Sequence, residues 1–299
     1  MLLGLCSSVI PLPKYFLSKS SQNNFNYSNL ILKKKTHQTK IICINNFRQI
    51  IIPFSFTSMA DLNPSDGNLT QEENSKSIDS SCTEIIVVRH GETDWNALGK
   101  MQGQLDVELN EVGRQQAIAV AERLSKEANI SAIYSSDLKR ALETAETIAA
   151  KCGGLEVIRE EGLRERHLGD LQGRHYHELA KTATKAYEAL RSSRSDEEIP
   201  GGGESRDQLY KRCTSALKTI AEKHRGQRVV VVSHGGAIRS LHNRAAEKGQ
   251  HAGKISNTSV SVLQLSEGDT WSIKSWNDVS HLNESDFLKS AFGGDASSG

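Results

Sequence analysis

The sequence has no apolar run of the roughly 20 residues that a membrane-spanning helix needs. Its most apolar stretch, residues 41–56, is interrupted by Asn45, Arg48 and Pro53. The five cysteines are scattered and form no C-x-x-C pair, which argues against a zinc ribbon or a secreted disulfide scaffold and favours a reducing compartment. We therefore expect no membrane partner and interpret the cysteines as small buried apolar residues.

Acidic residues are missing from the first 60 positions, where seven residues are basic. The rest of the chain has 30 basic and 36 acidic residues, a net charge of −6, although the whole chain sums to +1. An acid-poor, Ser-rich, cationic start is typical of an organelle transit peptide, and the excess of lysine over arginine favours a plastid address. The alternatives are that residues 1–60 form a disordered leader, or that Met59 is the working start of a cytoplasmic protein. Residues 61–82 are predicted to be a polar linker.

Short apolar runs alternate with amphipathic helical patterns over residues 83–280, which predicts one α/β domain with parallel strands. Strands are predicted over residues 85–88, 132–134, 155–158 and 228–232, with a closing hairpin over 260–265 and 271–276. Helices are predicted over 110–127, 137–151, 204–224 and 235–247, the second of them capped by Ser136 or Asp137, and residues 176–191 are predicted to be mostly helical. Residues 281–299 are predicted to be a loose tail. The domain is acidic and has no basic aromatic stripe, so no nucleic-acid partner is expected. The oligomeric state is left open.

Two of the buried strands end in nearly the same residues. One ends in Arg89-His90-Gly91 and the other in Ser233-His234-Gly235. The carboxyl ends of strands line the ligand crevice of an open α/β sheet, and a helix that starts there offers its amides to an anion. A single histidine in either place would more often be a packing residue, but the repetition favours two imidazoles that face one bound anion.

Two further strand ends add a cation and a carboxylate. Arg140 is predicted in the first turn of a helix, where the helix dipole disfavours a cation unless an anion is bound. Its planar guanidinium would pair with two oxygens of a dianion, and the alternative is a solvated surface arginine. Glu165 would be a proton donor, because a nearby anion raises the pKa of a carboxyl group. The alternative is that Glu165 simply pairs with Arg164 or Arg166.

Six motifs follow one another along residues 84–276. They are Arg-His-Gly-Glu-Thr-x-x-Asn from Arg89, Gln-Gly-x-x-Asp-x-x-Leu from Gln102, Ser-Ser-Asp-Leu-x-Arg to Arg140, Leu-x-Glu-x-x-x-Gly around Glu165, Gly-Gly-Glu-Ser to Ser205 and Ser-His-Gly-Gly from Ser233. In this order and spacing they resemble the histidine phosphatase superfamily, which includes the cofactor-dependent phosphoglycerate mutases. The resemblance implies a phosphoglycerate mutase-like fold, a three-layer α/β/α sandwich with a mostly parallel central sheet.

The resemblance also implies a phosphohistidine intermediate. His90 would attack phosphorus through Nε2 as a neutral imidazole whose Nδ1–H bonds a backbone carbonyl, and Glu165 would protonate the leaving alkoxide and then activate water. A protonated His234 would be the third catalytic residue, and it would hold phosphoryl oxygens together with Arg89, Asn96 and Arg140. Possible substrate contacts are Gly91, Thr93, Gln102, Gly103 and Gly235. No metal and no cofactor are expected, because fixed cations would neutralise the transition state.

Departures from the mutase pattern favour water as the phosphoryl acceptor. Tyr176 stands where the mutases have lysine, and residues 192–198 replace their paired arginines before a Pro-rich loop. The resemblance therefore predicts a phosphatase of a small phosphorylated metabolite, in carbohydrate metabolism. Mutase-type phosphoryl transfer is the alternative, and an inactive phospho-ligand-binding regulator is the third possibility.

Overall fold

A six-stranded mixed sheet forms the centre of the described part of the chain. The computed structural model describes residues 79–282, so the leader, nearly all of the linker and nearly all of the tail lie outside it, and their predicted roles stay predictions. The strands are β1 (Cys82–Arg89), β2 (Ile130–Ser135), β3 (Val157–Arg159), β4 (Arg228–Ser233), β5 (Val260–Ser266) and β6 (Thr270–Asp278). Their order across the sheet is β3-β2-β4-β1-β5-β6.

Four neighbouring strands of this sheet are parallel. β1, β2, β3 and β4 run in one direction, whereas β5 pairs antiparallel with β1 and β6 pairs antiparallel with β5. The mostly parallel sheet and the closing hairpin are therefore confirmed. The predicted bounds of several strands are wrong by a few residues: β3 begins at Val157 rather than at 155, β2 begins at Ile130 rather than at 132, and β1 begins at Cys82, inside the predicted linker.

Helices follow most of the parallel strands. Those described are α1 (Asp94–Ala97), α2 (Glu111–Leu124), α3 (Lys139–Lys151), α4 (Leu179–Thr182), α5 (Thr184–Arg191), α6 (Arg206–Lys223) and α7 (Gly235–Ala245). Within residues 79–282, none of the helices combines the length and the apolar character needed to cross a membrane.

Two helical layers cover the two faces of the sheet. Alternate residues of a strand face opposite sides. Ile85 and Val87 therefore pack in a cluster with buried residues of α6 and α7, and Ile86 and Val88 pack in another with buried residues of α2 and α3. Each such side chain contributes roughly 1.5–3 kcal/mol when fully buried, which stabilises β1 between two layers. The predicted three-layer sandwich is confirmed.

Capping side chains explain where α2 and α6 begin, whereas the predicted cap of α3 is absent. The side chain of Asn110 accepts the N–H of Gly113 at the start of α2, as the sequence predicts. Ser205 caps α6, so this helix begins at Arg206 rather than at 204. The predicted cap of α3 by Ser136 or Asp137 is wrong, because the cap residue is Leu138, which makes no side-chain bond. The free N–H of Lys139 instead donates to Asp106 Oδ1 of a distant loop, at 2.7 Å.

The mostly helical stretch predicted over residues 176–191 is confirmed, but it is divided into short elements. The chain forms a 3₁₀ turn at Tyr176–Glu178, then α4 and α5, with Ala183 between them at φ −144° and ψ 46°. The hydroxyls of Thr182 and Thr184 bond backbone carbonyls four residues earlier, and β-branched residues are weak helix formers. These short elements enclose a third, smaller apolar cluster formed by Met101, Leu168, Leu171, Leu179, Ala186 and Ile199.

Candidate active site

Two histidines lie side by side at the carboxyl ends of β1 and β4. Arg89 of β1 is the register partner of Ser233 of β4, so the next residue of each strand leaves the sheet at the same level. The ring centroids of His90 and His234 are 5.1 Å apart, and the two side chains are 2% and 0% exposed. The structure therefore brings together the two strand-end histidines that the sequence singles out.

His90 is held in the tautomer that leaves Nε2 available. Its Nδ1 lies 2.7 Å from the carbonyl oxygen of Gly91. A carbonyl oxygen only accepts, so Nδ1 carries the ring proton and Nε2 carries the lone pair. Burial lowers the pKa of His90 well below its ordinary value, and the charges of Arg140 and Arg89 lower it further. The unliganded imidazole is therefore a neutral nucleophile.

The backbone of His90 is fixed by bonds that the motifs do not reveal. Its N–H donates to the carbonyl of Ser233 at 3.0 Å, and its carbonyl accepts from Asn257 Nδ2 at 3.0 Å. Asn257 is fully buried in the loop before β5, outside every motif of the resemblance. The only signal in the sequence is a polar run, Ser256 to Thr258, directly before an apolar strand.

His234 is oriented by a hydroxyl group. Its Nε2 lies 2.9 Å from Ser136 Oγ, and its buried Nδ1 has no hydrogen-bond partner within residues 79–282. Ser136 Oγ also accepts the N–H of Leu138 at 3.3 Å, and it can serve His234 Nε2 either as a donor or as a second acceptor. The hydroxyl thus holds the ring of His234 in place in either tautomer.

The expectation that His234 is protonated is wrong for the unliganded site. Burial lowers its pKa well below the ordinary value, and Arg140, His90 and Arg89 lower it further. A second cation beside buried guanidinium groups would cost more than neutral imidazole, so the charge is supplied by arginine alone. A bound dianion would act in the opposite direction and raise the pKa of His234.

Two buried arginines supply that charge. Arg140 is 1% exposed, which excludes the solvated surface arginine, and burial lowers its pKa to about 10, so it is still charged at neutral pH. Its Nη1 donates to the carbonyl of Leu105 at 2.9 Å and its Nη2 to that of Gly103 at 2.8 Å. Its buried Nε has no partner in the described part of the chain. Arg89 Nη1 donates to the carbonyl of Ile255 at 2.5 Å. Both guanidinium groups are thus fixed before any ligand arrives.

Gly103 serves Arg140 through its backbone. Its φ is +54°, and a Cβ there would lie 2.2 Å from Gln172 Oε1. That oxygen accepts the N–H of Gln104, so only glycine allows the loop to close on Gln172 and to present its carbonyl to Arg140. The neighbouring Gln102 is buried, and its Oε1 has no partner among the described residues, which leaves it as an acceptor for a ligand.

The carboxylate of Glu165 is held by two backbone amides. Its Oε1 accepts the N–H of Arg166 at 2.8 Å, and its Oε2 accepts the N–H of Gly236 at 3.0 Å. Burial is the largest cause that raises the pKa of Glu165, and it outweighs those two bonds and the charges of Arg140 and Arg89. The predicted direction of the shift is present, but desolvation causes it before any anion is bound.

The alternative in which Glu165 pairs with a neighbouring arginine side chain is wrong. Arg164 Nε donates to Asp137 Oδ1 at 2.7 Å. Arg166 Nε donates to the carbonyl of Glu204 at 2.9 Å, and only its backbone reaches Glu165. Glu165 is therefore a buried carboxyl group without a direct ion pair.

The remaining predicted residues follow His90 or His234 closely in the chain, and they stabilise the local backbone. Thr93 caps α1, and Asn96 Oδ1 accepts both the N–H and the hydroxyl of Thr93, at 3.1 and 3.0 Å. A Cβ on Gly91 would lie 2.4 Å from the carbonyl oxygen of Gly113, so glycine is needed for the close approach to α2. Gly235 is buried at the first position of α7, after His234. Their contacts with a substrate stay predictions.

A comparison with protein families decides what this arrangement is. The model of the histidine phosphatase superfamily (branch 1) matches residues 85–279, which contain every side chain described above. The chain belongs to the histidine phosphatase superfamily.

Curated and solved relatives agree with that membership. Phosphoglycerate mutase-like protein 4 of Arabidopsis thaliana is 60% identical over 229 residues, covering 77% of this chain and 100% of the relative. The metal-independent phosphoserine phosphatase of A. thaliana is 52% identical over 219 residues, covering 73% and 91%. The structure of Entamoeba histolytica phosphoserine phosphatase with 3-phosphoglyceric acid is similar at a TM-score of 0.58 and 31% identity, covering 67% and 99%. The protein is thus a histidine phosphatase with the phosphoglycerate mutase-like fold.

A histidine phosphatase site of this geometry can carry out both halves of a phosphoryl transfer. In the predicted mechanism, His90 Nε2 would form the P–N bond while the P–O bond to the leaving alkoxide breaks, and Glu165 would give that alkoxide its proton. Glu165 would then take a proton from water, whose oxygen would bond phosphorus as the P–N bond breaks. Arg89 and Arg140 would stabilise the charge on the phosphoryl oxygens in both steps.

The bond from Ser136 to His234 gives a first testable prediction. Ser136→Ala removes the hydroxyl that orients His234. One neutral hydrogen bond contributes about 1 kcal/mol, so we expect kcat/KM for a phosphomonoester to fall about five- to tenfold. Steady-state phosphate release measures this.

The matched control is Ser131→Ala on β2, the strand that ends directly before Ser136. Ser131 is exposed, and its hydroxyl donates to the carbonyl of Arg228, far from the site. This variant should hydrolyse the substrate at the wild-type rate. An equal loss in both variants would show that the effect comes from β2 and not from His234.

Proposed function

We propose that the protein is a metal-independent phosphoserine phosphatase that works through phosphorylated His90. The observation that carries the proposal is that His90 and Glu165 are both buried in one site, with His90 Nδ1 bonded to the carbonyl of Gly91. Burial lowers the pKa of His90 and raises the pKa of Glu165, which favours the neutral imidazole and the carboxylic acid. Both shifts are in the direction that a nucleophile and a proton donor need. The relative named metal-independent phosphoserine phosphatase, at 52% identity, supports the substrate.

The acid form of Glu165 favours a substrate with an alkoxide leaving group. An alkoxide is strongly basic and leaves phosphorus poorly without a proton, whereas an aryl oxide leaves without much help. Phosphoserine and 3-phosphoglycerate are both phosphomonoesters of small hydroxy acids with such a leaving group. A buried, protonated carboxyl group suits these substrates better than an aryl phosphate.

Residues 176–198, which include α4 and α5, support hydrolysis over phosphoryl transfer between metabolites. Tyr176, at the position of the mutase lysine, packs against the third apolar cluster, and its ring centroid lies 6.5 Å from that of Tyr187. In residues 192–198, the exposed Arg194 pairs with Asp196, its Nη2 lying 3.1 Å from Oδ2. This segment therefore offers little free positive charge for the second phosphate of a bisphosphate.

Mutase-type transfer is the second candidate, since the relative at 60% identity is named phosphoglycerate mutase-like. It requires that water be excluded long enough for a second hydroxyl to accept the phosphoryl group. The inactive regulator has less support, because His90 and Glu165 are both present with the bonds that catalysis needs.

A substrate panel tests the proposal. Phosphate release should be measured with phosphoserine, 3-phosphoglycerate, a sugar phosphate, a nucleotide, a phosphopeptide and an aryl phosphate. We expect kcat/KM to be highest for phosphoserine, by about tenfold or more, the discrimination that a few charged substrate contacts provide.

The control is an assay of 2- and 3-phosphoglycerate interconversion with 2,3-bisphosphoglycerate as primer. We expect little primer-dependent interconversion. A primer-dependent rate above the rate of phosphate release would establish the mutase instead, and phosphate release that is fastest with a sugar phosphate would exclude phosphoserine as the preferred substrate.

A further inference from the structure

A cleft of about 180 Å³ lies between the first turn of α6 and the side of α7. Its lining includes Arg166, Arg206, Asp207, Gly236 and Arg239. None of His90, Arg89, Arg140 and His234 lines it, so it is a different place from the phosphate pocket. Its function is not explained by the mechanism above.

The α6–α7 cleft is lined by more arginines than acidic residues. Its lining includes Arg166, Arg206 and Arg239, and the acidic residue in it is Asp207. Arg206 is the first residue of α6, where the helix dipole disfavours a cation. Its Nη2 bonds the carbonyl of Ser192 at 2.8 Å, which fixes the side chain without neutralising it. An anion in the cleft would offset both the accumulated positive charge of the arginines and the unfavourable interaction of Arg206 with the helix dipole.

Arg166 carries an unused donor at this cleft. The residue is 1% exposed, and its Nε donates to the carbonyl of Glu204. Its buried Nη1 has no hydrogen-bond partner in the chain between residues 79 and 282. Burial and the charge of Arg206 together lower the pKa of Arg166 to about 10, against the opposing charges of Glu165 and Glu204. A buried cationic donor without a partner costs free energy that a bound anion would recover.

From these features we propose that the α6–α7 cleft binds a small oxyanion group, a carboxylate or a phosphate, through Arg166 and Arg206. Guanidinium groups recognise such oxygens by charge-assisted and bidentate hydrogen bonds. The cleft volume is sufficient for one such group and a few waters.

The α6–α7 cleft adjoins the backbone groups that hold the predicted catalytic acid, Glu165. Arg166 and Gly236, which both line the cleft, are the two residues whose N–H groups hold the carboxylate of Glu165. An oxyanion bound there lies beside the amides that position the proton donor. Two sources share this chemistry: the carboxylate of the substrate itself, which rests on the proposed function, and free inorganic phosphate, which does not.

Arg206→Gln and Arg206→Glu test the proposal, with Arg194→Gln as the matched control. Arg194 is an exposed arginine that lies outside the cleft and pairs with Asp196. In the first experiment, inorganic phosphate is titrated into each protein by calorimetry. If free phosphate fills the cleft, the wild type shows two binding events, and one of them weakens about tenfold or more in Arg206→Gln and disappears in Arg206→Glu.

In the second experiment, KM is measured for p-nitrophenyl phosphate and for the best carboxylate-bearing ester of the substrate panel. If the substrate carboxylate fills the cleft, the wild type shows one phosphate event, and the ratio of the second KM to the first rises about tenfold in Arg206→Gln and further in Arg206→Glu. The control should match the wild type in both experiments, and thermal melting checks that each variant is folded.

If neither the phosphate titration nor the KM ratio distinguishes the Arg206 variants from Arg194→Gln, the cleft is not an oxyanion site. A different result would show that the proposed function is wrong: phosphoserine would not be hydrolysed, while p-nitrophenyl phosphate would be. In that case the phosphate titration alone decides the proposal for the cleft.

Discussion

Replacing His90 with alanine is expected to abolish phosphate release, with a fall in kcat/KM of at least about 10⁴-fold. The variant lacks the Nε2 lone pair that forms the P–N bond, and water cannot attack from the same position with the same orientation. His234 is not placed to replace it, because its Nε2 is bonded to Ser136 Oγ. Phosphate release from p-nitrophenyl phosphate measures the loss.

A trapping experiment makes this prediction sharper. Rapid quenching of the wild type at alkaline pH, followed by mass spectrometry, should locate a phosphoryl group on the peptide that contains His90. The control is His177→Ala, whose side chain is 74% exposed and lies outside the site. It should keep wild-type activity and the same phosphopeptide. Hydrolysis by His90→Ala at a rate near that of the wild type would exclude the phosphohistidine route.

The central part of the site was predictable because it depends on strand order and register. Two buried strands of continuous apolar residues, β1 and β4, are readable in the sequence, and each of these two is followed by a His-Gly pair. Parallel neighbours bring such ends together, so His90 and His234 had to meet once β1 and β4 paired. The same argument placed Arg140 and Glu165 at this edge of the sheet.

The supporting shell was not predictable, because its residues come from loops without periodic pattern. Asn257 reaches His90 across 167 positions of the chain, and Asp106 bonds the start of α3 across 33. The break at Ala183 depends on threonine hydroxyls that compete for helix carbonyls, which propensity alone does not separate from a continuous helix.

The charge of His234 could not be predicted from the motif that contains it. A motif identifies which residues surround a phosphate, but protonation depends on burial and on the charges already present. Here Arg89 and Arg140 are buried and fixed by backbone carbonyls, and their charges, together with burial, favour the neutral form of both imidazoles. Neutral His90 can therefore attack without first losing a proton.

Glu165→Gln is expected to lower kcat by about 10²–10⁴-fold with phosphoserine, the usual contribution of a general acid and base. The glutamine amide keeps the size of the side chain, but it can neither protonate the alkoxide nor take a proton from water. With p-nitrophenyl phosphate, the first step needs no acid, so phosphorylated His90 should form quickly and be hydrolysed slowly. A burst of one p-nitrophenol per chain should then precede a slow steady state.

The dependence on pH separates this role from a structural one. Because burial raises the pKa of Glu165, its acid form is present below that raised pKa and is lost as the pH rises through it. Wild-type kcat/KM for phosphoserine should therefore fall on the alkaline side, and Glu165→Gln should lack that fall. Glu161→Gln is the matched control, since Glu161 is 76% exposed, and its pH profile should equal that of the wild type. An alkaline fall that persists in Glu165→Gln would mean that another group supplies the proton, and a missing burst would mean that phosphorylation of His90 also depends on Glu165.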